Sequence, residues 1–155
     1  MRLVGITTTV PIEIMIAAGA TPVDLNNIFI TAPERDRLLA QAENFGFPNN
    51  QCSWVKGVFQ VALENNIKEV VGVTRGDCSS TEKLLEIYQM LGIKSIPFAF
   101  PADRSRAGLE KELRNFARHF GTTLEKAEKV RKQLSKIRKK LAELDRLTYE
   151  TDQVS

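Results

Sequence analysis

Short apolar runs alternate with helical segments over residues 1–103, and this alternation predicts a three-layer α/β fold with a parallel sheet. Residues 2–7 and 69–74 are mainly apolar and branched, which is typical of strands buried on both faces. Residues 94–98 read as another strand, closed by Pro101. After Pro101 the chain becomes strongly basic and helical, so we expect a C-terminal helical extension on the α/β domain.

Local signals place the elements between these strands. Pro11 suits the first position of a helix that Gly19 ends, residues 21–25 read as a second short strand, and Asn26-Asn27 as a turn before an apolar run. Ser79-x-x-Glu82 has the pattern of a capping box. Helical spacing is found in residues 33–45, 53–65, 83–91 and 106–120.

A heptad seam runs along residues 127–148 of the extension, behind a second capping box at Thr122-x-x-Glu125. Its members alternate in spacings of three and four: Ala127, Val130, Leu134, Ile137, Leu141, Leu144 and Thr148. Such a seam is compatible with packing on the chain's own domain and with self-association or binding of a partner chain. The pattern leaves both interpretations open.

The distribution of charge also changes near residue 104, where the helical extension is expected to begin. Residues 104–147 hold 14 Lys and Arg against 6 Asp and Glu, so with a net charge of +3 the remainder carries −5. We therefore predict two parts, a cysteine-bearing α/β domain over residues 1–103 and a basic helical extension over residues 104–155. The extension has few aromatic residues for base stacking, so we do not expect it to bind nucleic acid.

Cys52 and Cys78 each stand where a helix is expected to begin. A helix N-terminus carries partial positive charge and stabilises a thiolate, the form that ligates metals or attacks electrophiles. The alternative is that both are inert core residues, the commoner fate of free cysteine. With no signal peptide or membrane-length run in the sequence, we expect a cytoplasmic protein without a disulfide.

The sequence lacks the motifs of several other common types of functional site. The sequence contains neither a Gly-x-x-x-x-Gly-Lys-Ser/Thr loop nor Gly-x-Gly-x-x-Gly, and it has no nucleophile elbow. His119, the only histidine, falls at the end of a predicted helix, where an imidazolium favours the helix dipole. A zinc site needs four ligands, and the two cysteines offer two.

Three segments together resemble the iron–sulfur D-component family of 2-hydroxyacyl-CoA dehydratases, which is related to benzoyl-CoA reductase. They are Val10-Pro11-Ile12-Glu13 with Ala17-Ala18-Gly19-Ala20-Thr21-Pro22-Val23, then Cys52-Ser53-Trp54-Val55-Lys56-Gly57, then Asp77-Cys78-Ser79-Ser80-Thr81-Glu82. The resemblance covers the family's first domain, and residues 121–147 look like its linker helix. The order Asp77-Cys78 differs from the family's commoner Cys-Asp.

The resemblance implies a flavodoxin-like domain and a four-iron four-sulfur (4Fe-4S) cluster with Cys52 and Cys78 as ligands. It implies that Glu13 fixes the first helix, and that the chain joins radical dehydration or reduction of an acyl-CoA with a partner chain. It also implies an ATP-dependent activator that supplies the electron. The family's third ligand cysteine lies in a domain that this sequence does not contain. A second copy, a longer subunit or loss of the cluster would each account for this.

Two functions of different classes therefore stand as hypotheses. In the first, the chain is a short iron–sulfur subunit whose cluster, bound by Cys52 and Cys78, is completed by a partner held through the helical tail. In the second, the chain is a cluster-free assembly or regulatory module that acts through the tail, and the cysteines are inert.

Overall fold

The computed structural model describes residues 1–151 and the side chains of residues 1–150; residues 152–155 of the predicted extension lie outside this range. Four strands and seven helices form the described part of the chain. In order they are β1 (Arg2–Ile6), α1 (Ile12–Ala17), β2 (Ala20–Asp24), α2 (Leu25–Thr31), α3 (Arg35–Phe45), α4 (Ser53–Glu64), β3 (Glu69–Arg75), α5 (Ser80–Met90), β4 (Lys94–Ala99), α6 (Arg106–Phe120) and α7 (Leu124–Thr151).

All four strands are parallel and lie in the order β2-β1-β3-β4. β1 pairs with β2 along its whole length, and its last residues, Gly5 and Ile6, lie opposite Val70 and Val71 of β3. The predicted three-layer parallel α/β fold is confirmed, and its layout is consistent with the flavodoxin-like type. The strand order changes direction between β1 and β3, and ligands of such sheets bind beyond the carboxyl ends at this switch point.

Helices cover both faces of the sheet and bury two apolar clusters. The cluster on one face is formed mainly by α2, α3, α4 and α5, and includes Phe29, Phe59 and Tyr88. The cluster on the other face is formed by α1, α6 and the start of α7, and includes Met15 and Phe116. α6 thus packs on the sheet, although it lies within the predicted extension; the division at residue 104 stays a prediction.

One region departs from its sequence pattern. Residues 25–31 form α2, where the sequence suggested a turn at Asn26-Asn27. The carboxylate of Asp24 accepts hydrogen bonds from the backbone N–H groups of Asn26 and Asn27 and so caps the helix. The two asparagines occupy the first turn, and Leu25 and Phe29 bury the apolar face of α2.

The surroundings of α7 change along its length. In its proximal half, residues 124–136, Ala127 is 7% exposed within the core, and Val130 and Leu134 are half-buried. In its distal half, residues 137–150, Ile137 and Leu141 are 57% and 53% exposed. Packing on the chain's own domain therefore accounts for the proximal part of the seam, whereas the described residues leave the distal part uncovered.

Candidate functional site

Both predicted ligand cysteines lie at the carboxyl end of the sheet. Cys78 follows β3, so it lies beyond the carboxyl end of that strand. α4 directly precedes β3 in the chain, so its last turn lies near the amino end of that strand. Its first turn, which Cys52 precedes, therefore lies at the same edge as Cys78. Both thiols are exposed and form no disulfide. Their exposure does not support the interpretation of inert core residues.

The backbone fixes the position of Cys52 at the start of α4. Cys52 occupies the N-cap position with φ −49° and ψ 123°, and its carbonyl oxygen accepts from the backbone N–H of Lys56 at 3.2 Å. Its side chain makes no capping hydrogen bond. Because the side chain is not used as a cap, the sulfur remains available at a helix end that carries partial positive charge.

A buried ion pair holds the loop that delivers Cys52. The Lys56 side chain is only 3% exposed, and its Nζ donates to Oε1 of Glu43 at 2.6 Å and to the carbonyl of Asn49 at 3.2 Å. A buried ammonium needs such partners, since its desolvation is costly. Lys56 therefore ties α4 both to α3 and to the loop three residues before Cys52.

The turn after β3 carries Cys78. Gly76 begins it with φ +89°, a conformation that favours glycine, and the Cys78 carbonyl accepts from the backbone N–H of Thr81 at 3.1 Å. The predicted capping box does not form, because Ser79 already has a helical backbone and makes no side-chain capping bond. The helix-like turn thus begins at Cys78 itself. A similar shift occurs at α7, where Thr123, in place of Thr122, accepts from the N–H of Lys126 at 3.4 Å.

A groove of about 390 Å³ with a mixed polar and apolar lining lies beyond the ends of β1 and β2, and it includes Trp54, two residues after Cys52. Asn26 connects its walls: its Nδ2 donates to the carbonyl of Thr7 at 2.8 Å, and its Oδ1 accepts from Nε1 of Trp54 at 2.5 Å. Thr7 Oγ1 is buried in this region without a hydrogen-bond partner. Arg138 of α7 also lines the groove, so the tail helix reaches this edge of the sheet.

The tail is held at this edge by Glu13. Nη1 of Arg138 donates to Oε1 of Glu13 at 2.5 Å, and the Glu13 side chain is only 16% exposed. Glu13 lies in the first turn of α1, where a carboxylate also favours the helix end. The expected structural role of Glu13 thus extends to docking α7, which the sequence alone did not suggest.

An apolar groove of about 380 Å³ lies between α5 and the loop that follows α3. Phe45, Phe47 and Leu84 line it, and its polar rim includes Gln51 and Ser80. Gln51 directly precedes Cys52, and Ser80 lies two residues after Cys78. The groove therefore runs between the two cysteine-bearing turns.

His119 lies in the last turn of α6, where a basic side chain was expected to favour the helix dipole. It lines a separate cleft beside β4 together with Arg75 and Glu112. This cleft lies against the edge strand, whereas the turn of Cys52 leads into α4. The position agrees with an end-of-helix role for His119.

The donor set of one chain is only partly suited to a metal cluster. Among residues 1–151, no three His, Cys, Asp or Glu side chains are grouped closely enough to hold a metal ion. Cubane clusters are usually held by four cysteine thiolates, and this chain has two. The two thiols have the right chemistry and exposure, but they make up half of the usual set.

Comparisons with known proteins identify the family of the chain. The family model described as 2-hydroxyglutaryl-CoA dehydratase, D-component, matches residues 7–154. No curated protein matches the chain. None of the helices among residues 1–151 is long and apolar enough to cross a membrane. The match spans both cysteine turns, α1 and the tail helix, and the chain belongs to the D-component family of 2-hydroxyglutaryl-CoA dehydratase.

Proposed function

We propose that this chain is an iron–sulfur subunit of a cytoplasmic 2-hydroxyacyl-CoA dehydratase-like or benzoyl-CoA reductase-like system. Cys52 and Cys78 ligate a 4Fe-4S cluster at the carboxyl edge of the sheet, and a partner chain supplies the remaining ligands. The complete assembly dehydrates or reduces an acyl-CoA after an ATP-dependent activator delivers an electron. The observation that carries this proposal is the pair of exposed, uncrosslinked cysteines at two helix starts of one sheet edge, in a chain of this family.

The remaining residues of the edge suit a supporting role. Lys56 and Glu43 fix the loop before Cys52, and the backbone of Gly76 turns the chain toward Cys78. Such preorganisation matters because a cluster ligand must be held in position before the metal arrives. A cluster of this kind, when bound, supplies single electrons at low potential.

Iron and acid-labile sulfide content, measured with the absorption spectrum after anaerobic purification or reconstitution, tests the proposal. We expect Cys52→Ala and Cys78→Ala to lose most of the bound iron while keeping the midpoint of thermal unfolding, because both thiols are exposed. Ser53→Ala and Ser79→Ala are the matched controls, since each changes the next residue along the same turn. Full iron content in either cysteine variant would contradict ligation by that residue.

A second function is favoured by a different observation, the exposed apolar stripe on the distal half of α7. In that case the chain is a cluster-free assembly or regulatory module that acts through its tail. The same experiment separates the two functions. A wild-type protein that binds no iron in the presence of its partner chains, but assembles through the tail, would support the second function and contradict the first.

A further inference from the structure

The distal half of α7 presents an apolar stripe that nothing in the described part of the chain covers. Ile137, Leu141 and Leu144 are 57%, 53% and 45% exposed. They follow each other at spacings of four and three, so they lie on one side of the helix. A stripe of this width on an otherwise charged helix fits the side of another helix.

The stripe projects beyond the sheet edge that carries the cysteines. α7 begins near the amino end of the sheet, where the guanidinium of Arg2, at the start of β1, lies 5.1 Å from the ring centre of Phe120. It reaches the carboxyl end at Arg138, which bonds to Glu13 and lines the groove at the end of β1. At 1.5 Å per residue, the twelve residues from 139 to 150 extend about 18 Å further.

Charge is distributed unevenly along residues 136–150 of α7. Four cations lie in residues 136–140, directly before Leu141, whereas residues 143–150 hold three carboxylates against one cation. The cations are Lys136, Arg138, Lys139 and Lys140, and the later charges are Glu143, Asp145, Arg146 and Glu150. A segment that is positive at one end and negative at the other is complementary to a reversed copy of itself.

We infer that the distal halves of two copies of this chain pack against each other as antiparallel helices. The heptad register places Leu141 opposite the partner's Leu144, and Ile137 opposite the partner's Thr148. Arg138 and Asp145 flank the seam at equivalent heptad positions, so Arg138 lies opposite the partner's Asp145 and the reverse pair forms by symmetry. The guanidinium has five N–H donors, which allows it to bond to Glu13 and to the partner together.

Charge favours this register over the one in which a copy is shifted by a heptad. Sliding one copy by a heptad would place Ile137 opposite the partner's Leu141, but Arg138 would then face the partner's Arg138. Lys140 would likewise face the partner's Lys140. Like charges directly opposed across a helix pair are unfavourable, so the first register is preferred.

The parallel arrangement is excluded by the fold. The seam of the proximal half faces the chain's own domain, where Ala127 is buried in the core. A partner helix that ran parallel in register along the distal seam would continue into the space that this domain fills. An antiparallel partner avoids the clash, because its own domain lies at the far end of the pair.

The mass of the full-length protein in solution, measured by light scattering over a wide concentration range, tests the pairing. We expect a species of twice 17.4 kDa that dissociates on dilution. Leu141→Asp should weaken association by about tenfold or more, since an aspartate would be buried in the seam. Asp145→Lys should also weaken it, whereas Glu143→Lys, which lies two residues away and points off the seam, is the matched charge control. A wild-type monomer at every concentration would overturn the inference.

Disulfide trapping reports the relative orientation of the two paired helices. It requires no iron–sulfur cluster, so its result does not depend on the proposed function. In a Cys52→Ser/Cys78→Ser background, we expect a mixture of Ile137→Cys and Thr148→Cys chains to crosslink with each other under mild oxidation. Neither variant alone should crosslink efficiently. Crosslinking of Ile137→Cys with itself at the same rate would indicate a parallel pair and would contradict the antiparallel arrangement.

Discussion

The two halves of α7 share one heptad pattern but differ in what covers it. In the proximal half the pattern places Ala127 in the core beside α1, and the helix is part of the domain. In the distal half the same spacing leaves Leu141 and Leu144 half exposed, on a helix whose other sides carry charge. Periodicity thus determines which side of a helix is apolar, while the position of the neighbouring elements determines what that side contacts.

One type of substitution, alanine to aspartate, should change the free energy of unfolding very differently in the two halves of α7. Ala127→Asp buries an unpaired carboxylate in the core, and we expect it to lower the free energy of unfolding by about 3 kcal/mol. Ala142→Asp is the matched control in the same helix, since Ala142 is exposed and lies off the seam, and its effect should stay within about 0.5 kcal/mol. Urea denaturation at low protein concentration measures both. Equal losses in the two variants would mean that the distal half is also part of the folded core.

Much of the fold could be predicted because its signals are local. The strands of residues 2–7 and 69–74 are mainly apolar in their interiors, as burial on both faces of a parallel sheet requires. α2 was missed because the Asn26-Asn27 pair is a turn signal by composition, and only the Asp24 cap shows that the turn opens a helix. A capping residue followed by polar residues is ambiguous when no periodic run of sufficient length comes after it.

The candidate site was predictable in part, and for a similar reason. A cysteine at a helix start can be recognised from the sequence, because the signals that begin a helix are adjacent to it. The contacts of Lys56 with Glu43 and of Arg138 with Glu13 join residues 13 and 125 positions apart. A lysine among the apolar residues of α4 was the available signal for the first contact. No local pattern identifies the second, since it depends on where α7 crosses α1.

Lowering the pH tests the ion pair between Arg2 and Glu69, which lies at the amino end of the sheet, near the start of the proximal half of α7. Hydrogen bonds from Arg2 hold the pKa of Glu69 below its usual value, against the opposing effect of burial. A carboxylate with a lowered pKa contributes stability at neutral pH, and this contribution disappears as the pH falls through the folded-state pKa. We expect Glu69→Gln to lower the free energy of unfolding by about 1.5 kcal/mol at pH 7 and to flatten the loss of stability on acidification.

The distal half supplies the control for this prediction. A hydrogen bond from Arg146 also lowers the pKa of Glu143, but the side chain of Glu143 is exposed to solvent. Screening by water removes most of the energy of such a pair, so Glu143→Gln should leave both the stability and its pH dependence unchanged. The measurement is denaturant unfolding from pH 7 to pH 3 for both variants. A flattened profile for Glu143→Gln alone would reverse the assigned roles of the two carboxylates.

The smallest effect is expected where the two halves meet. Glu13→Gln keeps the size of the side chain but removes the charge that faces Arg138, and should cost about 0.5–1 kcal/mol, because Glu13 is mostly buried. The loss should be local: hydrogen exchange of backbone amides in residues 132–138 should accelerate, while amides around Ala127 keep their protection. Glu128→Gln, which breaks an exposed pair with Arg131 in the same helix, is the control and should leave this exchange unchanged. Uniform acceleration along α7 would show that the helix opens as one unit, and the distinction between its halves would then lie in exposure alone.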